Sequence, residues 1–177
     1  LHSEFLLVDG GKMSKSLGNC FTVSDLVKKG FTPESIRYQL LAGHYRTKIS
    51  FSLKKKQESD KVISRINEFQ SLLIDLGAQD IQRKELPDSY YDFVEAMNDD
   101  LNTPKALAIF HSWMRQVFKK IKTGSFVEKD KIEAWSFLTN FDSIFGFLSE
   151  KTFKIPLEIK KLIELREVAR AENNWTL

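Results

Sequence analysis

Seven apolar residues, Val62, Ile63, Ile66, Phe69, Leu72, Leu73 and Leu76, recur at helical spacing, and Gly77 follows the last of them. Steps of three and four put them on one face of an α-helix, and a stripe of that size has to be covered. Material to cover it comes later in the chain. Phe110, Trp113, Phe118, Trp135, Phe137, Phe141, Phe145 and Phe147 again keep helical intervals, which favours core packing over base stacking. Among 177 residues Phe occurs 14 times, while Gly (8) and Pro (4) are sparse. Few chain breakers and many long side chains favour helices, so the chain is predicted to be mainly α.

Ser52 stands where it can cap the striped helix, predicted over about 53–76, and polar residues at about 77–87 read as a linker. Four helices are predicted beyond Pro87. They cover about 89–98, 104–122 (capped by Asn102 or Thr103), 129–148 and 156–173. The first fifty or so residues differ. Phe5-Leu6-Leu7-Val8 reads as a strand entering a tight turn at Asp9-Gly10-Gly11, since Asp and Gly tolerate positive φ. Thr22-Val23-Ser24-Asp25 is a capping-box pattern for a short helix that Gly30 stops. Thr32-Pro33-Glu34 opens another, with Ile36, Leu40 and Leu41 in helical register to about Gly43. Two parts are expected: mixed α/β over residues 1–58 and an all-helical bundle over 59–177, joined by the striped helix.

Net charge is +3 (27 Lys and Arg against 24 Asp and Glu), which permits a polyanionic partner without demanding one. Cys20 is the one cysteine, which excludes an internal disulfide and an all-cysteine zinc site and fits a reducing, cytoplasmic setting. No apolar run reaches the roughly 18 residues of a membrane span, and no basic-then-apolar leader opens the chain. A chain that starts at Leu1 and stops at Leu177, inside a helix-rich stretch, is expected to be a fragment.

Chemistry concentrates in Lys12-Met13-Ser14-Lys15-Ser16. Two ammonium groups, two hydroxyls and free backbone N–H groups, bracketed by Gly10, Gly11 and Gly18, suit a phosphate chain. Lysine serves as a point charge where negative charge shifts during a reaction. On residue types alone, a solvated basic loop is the commoner meaning of such a pair. Lys54-Lys55-Lys56 and Lys119-Lys120 read as solvated faces that could also meet nucleic-acid phosphates. Asp99-Asp100 reads as part of a helix start in preference to a carboxylate pair for metal or acid–base work. His44-Tyr45-Arg46 reads as a helix end, where cations suit the dipole.

The full string Lys12-Met13-Ser14-Lys15-Ser16-Leu17-Gly18-Asn19 matches the KMSKS signature of class I aminoacyl-tRNA synthetases, with the Leu-Gly-Asn that usually follows it. His44-Tyr45-Arg46-Thr47 with Ile49-Ser50-Phe51-Ser52 resembles a run of the cysteinyl-tRNA synthetases. So does Ala96-Met97-Asn98-Asp99-Asp100-Leu101-Asn102-Thr103-Pro104-Lys105-Ala106-Leu107, where Asn98 and Leu101 replace the commoner Asp and Phe. Residues 166–175 are similar to a further helix of that family, with Asn173 and Asn174 in place of basic residues. The resemblance covers essentially the whole chain.

It implies the end of a Rossmann-type catalytic domain with stem-contact helices over residues 1–58, then a DALR-type tRNA-binding bundle over 59–177. It implies ligation of L-cysteine to tRNA(Cys) through a cysteinyl-adenylate, with ATP and Mg as substrate, by a monomer away from membranes. Lys15 would contact the β- and γ-phosphates in the transition state, and Lys12 would support them. Ser14 and Ser16 would donate to phosphate oxygens or hold the loop, with Met13 packed beneath it. The family's zinc, which selects the cysteine thiolate, is expected in the full-length enzyme on ligands outside this chain, because neither His2 nor Cys20 matches one. The 177 residues also lack the family's HIGH-type motif, so the chain alone is expected to be inactive. Two alternatives stay open. One is a paralogue that passes activated cysteine to a small amine, the other a non-catalytic helical nucleic-acid-binding protein.

Overall fold

Asp9 and Gly10 fold the first apolar run back on itself. The computed structural model of the chain describes residues 4–80 and 85–148. In it β1 (Leu6–Val8) turns at Asp9 (φ 48) and Gly10 (φ 83) into β2 (Gly11–Lys12). Leu7 lies opposite Lys12 and Val8 opposite Gly11. Positive φ at both turn residues matches the right-handed twist of the two strands. The predicted strand and turn are therefore a hairpin. On the far side of β1 lies β3 (Ile49–Phe51), parallel to it, with Leu6 opposite Ile49 and Val8 opposite Phe51. The sequence does not announce β3, because three residues give too short an alternation to register.

Two capped helices lie between β2 and β3. In α1 (Val23–Lys28) the Asp25 N–H donates to Thr22 Oγ1 at 3.2 Å and the Thr22 N–H to Asp25 Oδ2 at 2.9 Å, the predicted box. In α2 (Pro33–Leu41) Thr32 and Ser35 make the same reciprocal pair, with a serine hydroxyl in the usual place of Glu or Gln. Leu26, Phe31, Ile36 and Phe51 form a small core under them.

The striped helix starts later than predicted. Leu53–Lys55 make one 3-10 turn, and α3 then runs Lys56–Asp75. Ser52 makes no capping hydrogen bond. The bundle is completed by α4 (Asp88–Asn98), α5 (Thr103–Lys122) and α6 (Glu128–Phe145). Asn102 is the cap of α5, accepting from the Lys105 N–H at 3.2 Å. Thr103, the other candidate cap, donates its hydroxyl to the Leu41 carbonyl at 2.7 Å, joining the start of α5 to the open end of α2. The third predicted helix overshoots: α6 stops at Phe145 because Gly146 takes a left-handed turn (φ 59). Part of the predicted linker is packed, since Ala78–Asp80 form a 3-10 turn with Ala78 fully buried. The helix predicted over 156–173 lies outside the described residues.

The large core forms where the stripe meets the aromatic residues. Ile63, Ile66, Phe69 and Leu73 are buried with Phe93, Phe110, Trp113, Phe137, Phe141, Phe145 and Phe147, while Phe118 and Trp135 are partly buried at its edge. The rings of Phe110 and Phe141 stack with centroids 3.6 Å apart. The aromatic residues are thus core material, as predicted. Phe141→Ala should destabilise the protein by about 3–5 kcal/mol in urea unfolding, whereas Tyr91→Ala, at an exposed ring, should stay within about 0.5 kcal/mol.

Candidate nucleotide-binding loop

β2 delivers Lys12 to the base of a loop that Asn19 closes. Asn19 Oδ1 accepts from the Ser14 N–H at 2.8 Å, and its Nδ2 donates to the Lys12 carbonyl at 3.0 Å. One amide therefore holds the loop's exit against its entrance. Gly18 (φ 65) donates its N–H to the Lys15 carbonyl at 3.2 Å and turns the tip. The Ser14 and Ser16 hydroxyls hydrogen-bond to each other at 2.8 Å. Met13 is half-buried, while Lys15, Ser16 and Leu17 are exposed. Lys12 Nζ lies 5.3 Å from the centre of the Phe5 ring, a cation–π contact that draws it back along the hairpin. The Lys15 ammonium has no hydrogen bond or ion pair among the described residues. A free ammonium at an exposed tip, with two hydroxyls beside it, can receive an anionic group.

The structure thus brings together all four predicted residues, Lys12, Ser14, Lys15 and Ser16, and adds Asn19. Residue type does not single Asn19 out. Its meaning appears when folding sets its two polar atoms opposite Lys12 and Ser14. The available signal was its position at the end of the matched string.

The turn beneath the loop is anchored from outside. The Asp9 N–H donates to the Phe51 carbonyl at 2.9 Å, and Asp9 Oδ1 accepts from the Ser52 hydroxyl at 2.7 Å. The Ser52 N–H donates to Oε1 of the buried Gln39 at 3.1 Å.

A second polar cluster corrects two readings. His44, Tyr45 and Arg46 lie beyond α2 and do not end it. The Tyr45 hydroxyl donates to Asp100 Oδ1 at 2.5 Å, the Arg46 guanidinium bonds both carboxylate oxygens, and His44 Nε2 is 4.0 Å from Oδ2. Asn102 takes the cap of α5, so the Asp100 carboxylate is left for Tyr45 and Arg46 and does not start a helix. The Arg46 hydrogen bonds hold the Asp100 carboxyl at about 2, and the hydrogen bond to Asp100 pushes the Tyr45 hydroxyl up. Asp100 (φ 55) and Leu101 (φ 54) are both left-handed, a conformation that its surroundings must hold in place. Of the basic runs, Lys54, Lys55 and Lys119 are exposed, while Lys56 pairs with Asp60 and Lys120 with Asp130, each at 2.6 Å. Among the described residues no three His, Cys, Asp or Glu side chains could hold a metal, and no helix is long and apolar enough to cross a membrane.

Residues 1–64 match the family profile described as tRNA synthetases class I (C) catalytic domain, and residues 92–149 match the DALR domain. The sheet with its lysine loop and the helical bundle after it are therefore the end of a class I synthetase catalytic region followed by a DALR domain. The chain is 36% identical over 188 residues to the cysteine–tRNA ligase of Chlamydia muridarum, covering 99% of this chain and 40% of the relative. It is 36% identical over 189 residues to that of Leptospira interrogans serovar copenhageni (99% and 39%). It is 34% identical over 186 residues to that of Protochlamydia amoebophila (100% and 38%). The chain belongs to the cysteinyl-tRNA synthetase family. It spans about two fifths of the length of the curated relatives it matches.

Two measurements check this geometry. Asn19→Ala should speed tryptic cleavage after Lys12 and Lys15 about tenfold, as losing hydrogen bonds of about 1 kcal/mol each allows, with the bundle's melting unchanged. Asp100 is depressed in the folded state, so its contribution to stability is full above about pH 4 and lost as pH falls through about 2. Asp100→Asn should therefore flatten the acid limb of stability in urea melts between those values.

Proposed function

We propose that this chain is the part of a cysteine–tRNA ligase that supplies the second half of the ATP site and the tRNA-binding helices. The complete enzyme joins L-cysteine to tRNA(Cys) through a cysteinyl-adenylate, with Mg-bound ATP as substrate. The cysteine carboxylate attacks the α-phosphorus and pyrophosphate leaves, so negative charge builds on the β- and γ-phosphates.

The state of Lys15 carries this reading. Its ammonium is exposed and unpaired among the described residues, at the tip of a loop whose base Asn19 holds closed. Brought to the departing pyrophosphate, it stabilises the transition state more than bound ATP. Lys12, drawn toward Phe5 at the loop base, supports the same charge from behind. Ser14 and Ser16, each the other's partner, exchange that contact for phosphate oxygens or keep the loop's shape.

We assign residues 1–58 to the catalytic end with its stem-contact helices and 59–177 to the DALR-type bundle. The separation of a small core around Phe31 and Phe51 from a large one around Phe69 and Phe110 supports that division. We place the enzyme in the cytoplasm as a monomer. The described residues hold no ligand set for the zinc that cysteinyl enzymes use to select a thiolate, so no step here runs through it.

In the complete enzyme, Lys15→Ala should lower kcat for cysteine-dependent ATP–pyrophosphate exchange about a hundredfold and change the KM for ATP by less than about threefold. Equal losses in both would remove the transition-state role. The 177-residue chain alone should give no exchange, and measurable turnover would overturn that expectation. Filter binding of tRNA should weaken steeply from 50 to 200 mM salt. No binding at low salt would favour ligation to a small amine instead.

A further inference from the structure

Ser52 sits at the start of the 3-10 turn that leads into α3, where a serine hydroxyl ordinarily satisfies an open backbone N–H. It makes no such bond. Its hydroxyl reaches 43 residues back in the chain to Asp9 Oδ1, at 2.7 Å. Asp9 is the first residue of the turn that opens the lysine loop, and it is held at φ 48. A non-glycine residue keeps that conformation where its surroundings fix it. Here the fixing comes from β3 and its continuation: the Phe51 carbonyl on the Asp9 N–H and the Ser52 hydroxyl on the Asp9 carboxylate.

Ser52 is itself held. Its N–H donates to Gln39 Oε1 at 3.1 Å, and Gln39 is only 8% exposed. The other half of that amide, Nε2, is buried without a hydrogen-bond partner. Leaving a buried donor unsatisfied is unfavourable, so Gln39 serves here through its acceptor, and that acceptor holds Ser52. A line of hydrogen bonds thus runs from the last turn of α2 through Ser52 to the turn that opens the loop.

We propose that Ser52, held by Gln39, is a positioning residue for ATP activation: by fixing Asp9 it sets the turn from which Lys12 and Lys15 reach the phosphates. The inference rests on the reading of this loop as half of an ATP site. Loss of the Ser52–Asp9 bond leaves Lys12, Ser14, Lys15 and Ser16 present but lets the hairpin turn that carries them rotate. Reacting groups tolerate little misplacement, so the loss falls on the chemical step.

The test is ATP–pyrophosphate exchange in the complete enzyme with four variants. Ser52→Ala should lower kcat about tenfold with the KM for ATP within about twofold, and Ser52→Thr, which keeps the hydroxyl, should restore kcat to within about twofold. Asp9→Gly accepts the positive φ without strain, so a merely conformational role predicts no loss, whereas positioning predicts the same loss as Ser52→Ala. The double variant Ser52→Ala/Asp9→Gly should be no worse than either single one. Additive losses, an unaffected Asp9→Gly, or a rise in KM with kcat unchanged would each overturn the proposal. If Ser52→Ala does not fold, Asp9→Gly decides alone. Lys15→Ala in the same assay separates the two levels. A Lys15 defect with normal Ser52 and Asp9 variants removes this inference only, and no Lys15 defect removes the ATP-site reading and this inference with it.

Discussion

Burial of the α3 stripe against the rings of α4, α5 and α6 fixes a long helix whose approach carries β3 and Ser52. β3 in turn is the parallel neighbour of β1, and β1 leads into the lysine loop. The loop is exposed and has little packing of its own, so its placement depends on this chain of supports. The hydrophobic term is large and without direction, and the strand pairing that follows from it is directional. Together they place an exposed polar segment on a packed base.

Three polar links join the same two regions. Thr103 satisfies the last carbonyl of α2, Arg37 donates to the carbonyls of Phe145 and Gly146 at the end of α6, and Arg46 with Tyr45 grips Asp100. The first two answer the need of helix ends for partners. The third holds a left-handed Asp100–Leu101 segment between α4 and α5. These links tie the bundle to the region that carries the sheet.

Elements whose cause is local were legible. Thr22 with Asp25 and Thr32 with Pro33 start helices because their partners lie within one turn. The stripe from Val62 and the later rings pointed to one core, since helical periodicity alone puts them on buried faces. The lysine loop was legible as a string, and residue type alone would have left it a solvated basic segment. Less legible were residues with more than one possible partner. Ser52 looked like a cap and Asp100 like part of a helix start, and each bonds a side chain 43 to 55 residues away.

What the order of residues settled was therefore the elements, the identity of the core and the lysine string, because short-range hydrogen bonding and periodic burial suffice for them. What folding settled was the use of individual polar atoms. Asn19 became a clasp, Ser52 an anchor and Asp100 a bridge, while Lys15 was left without a partner among the described residues. A polar side chain takes whichever partner the packed backbone brings within about 3 Å, and that geometry exists only once the two cores have formed.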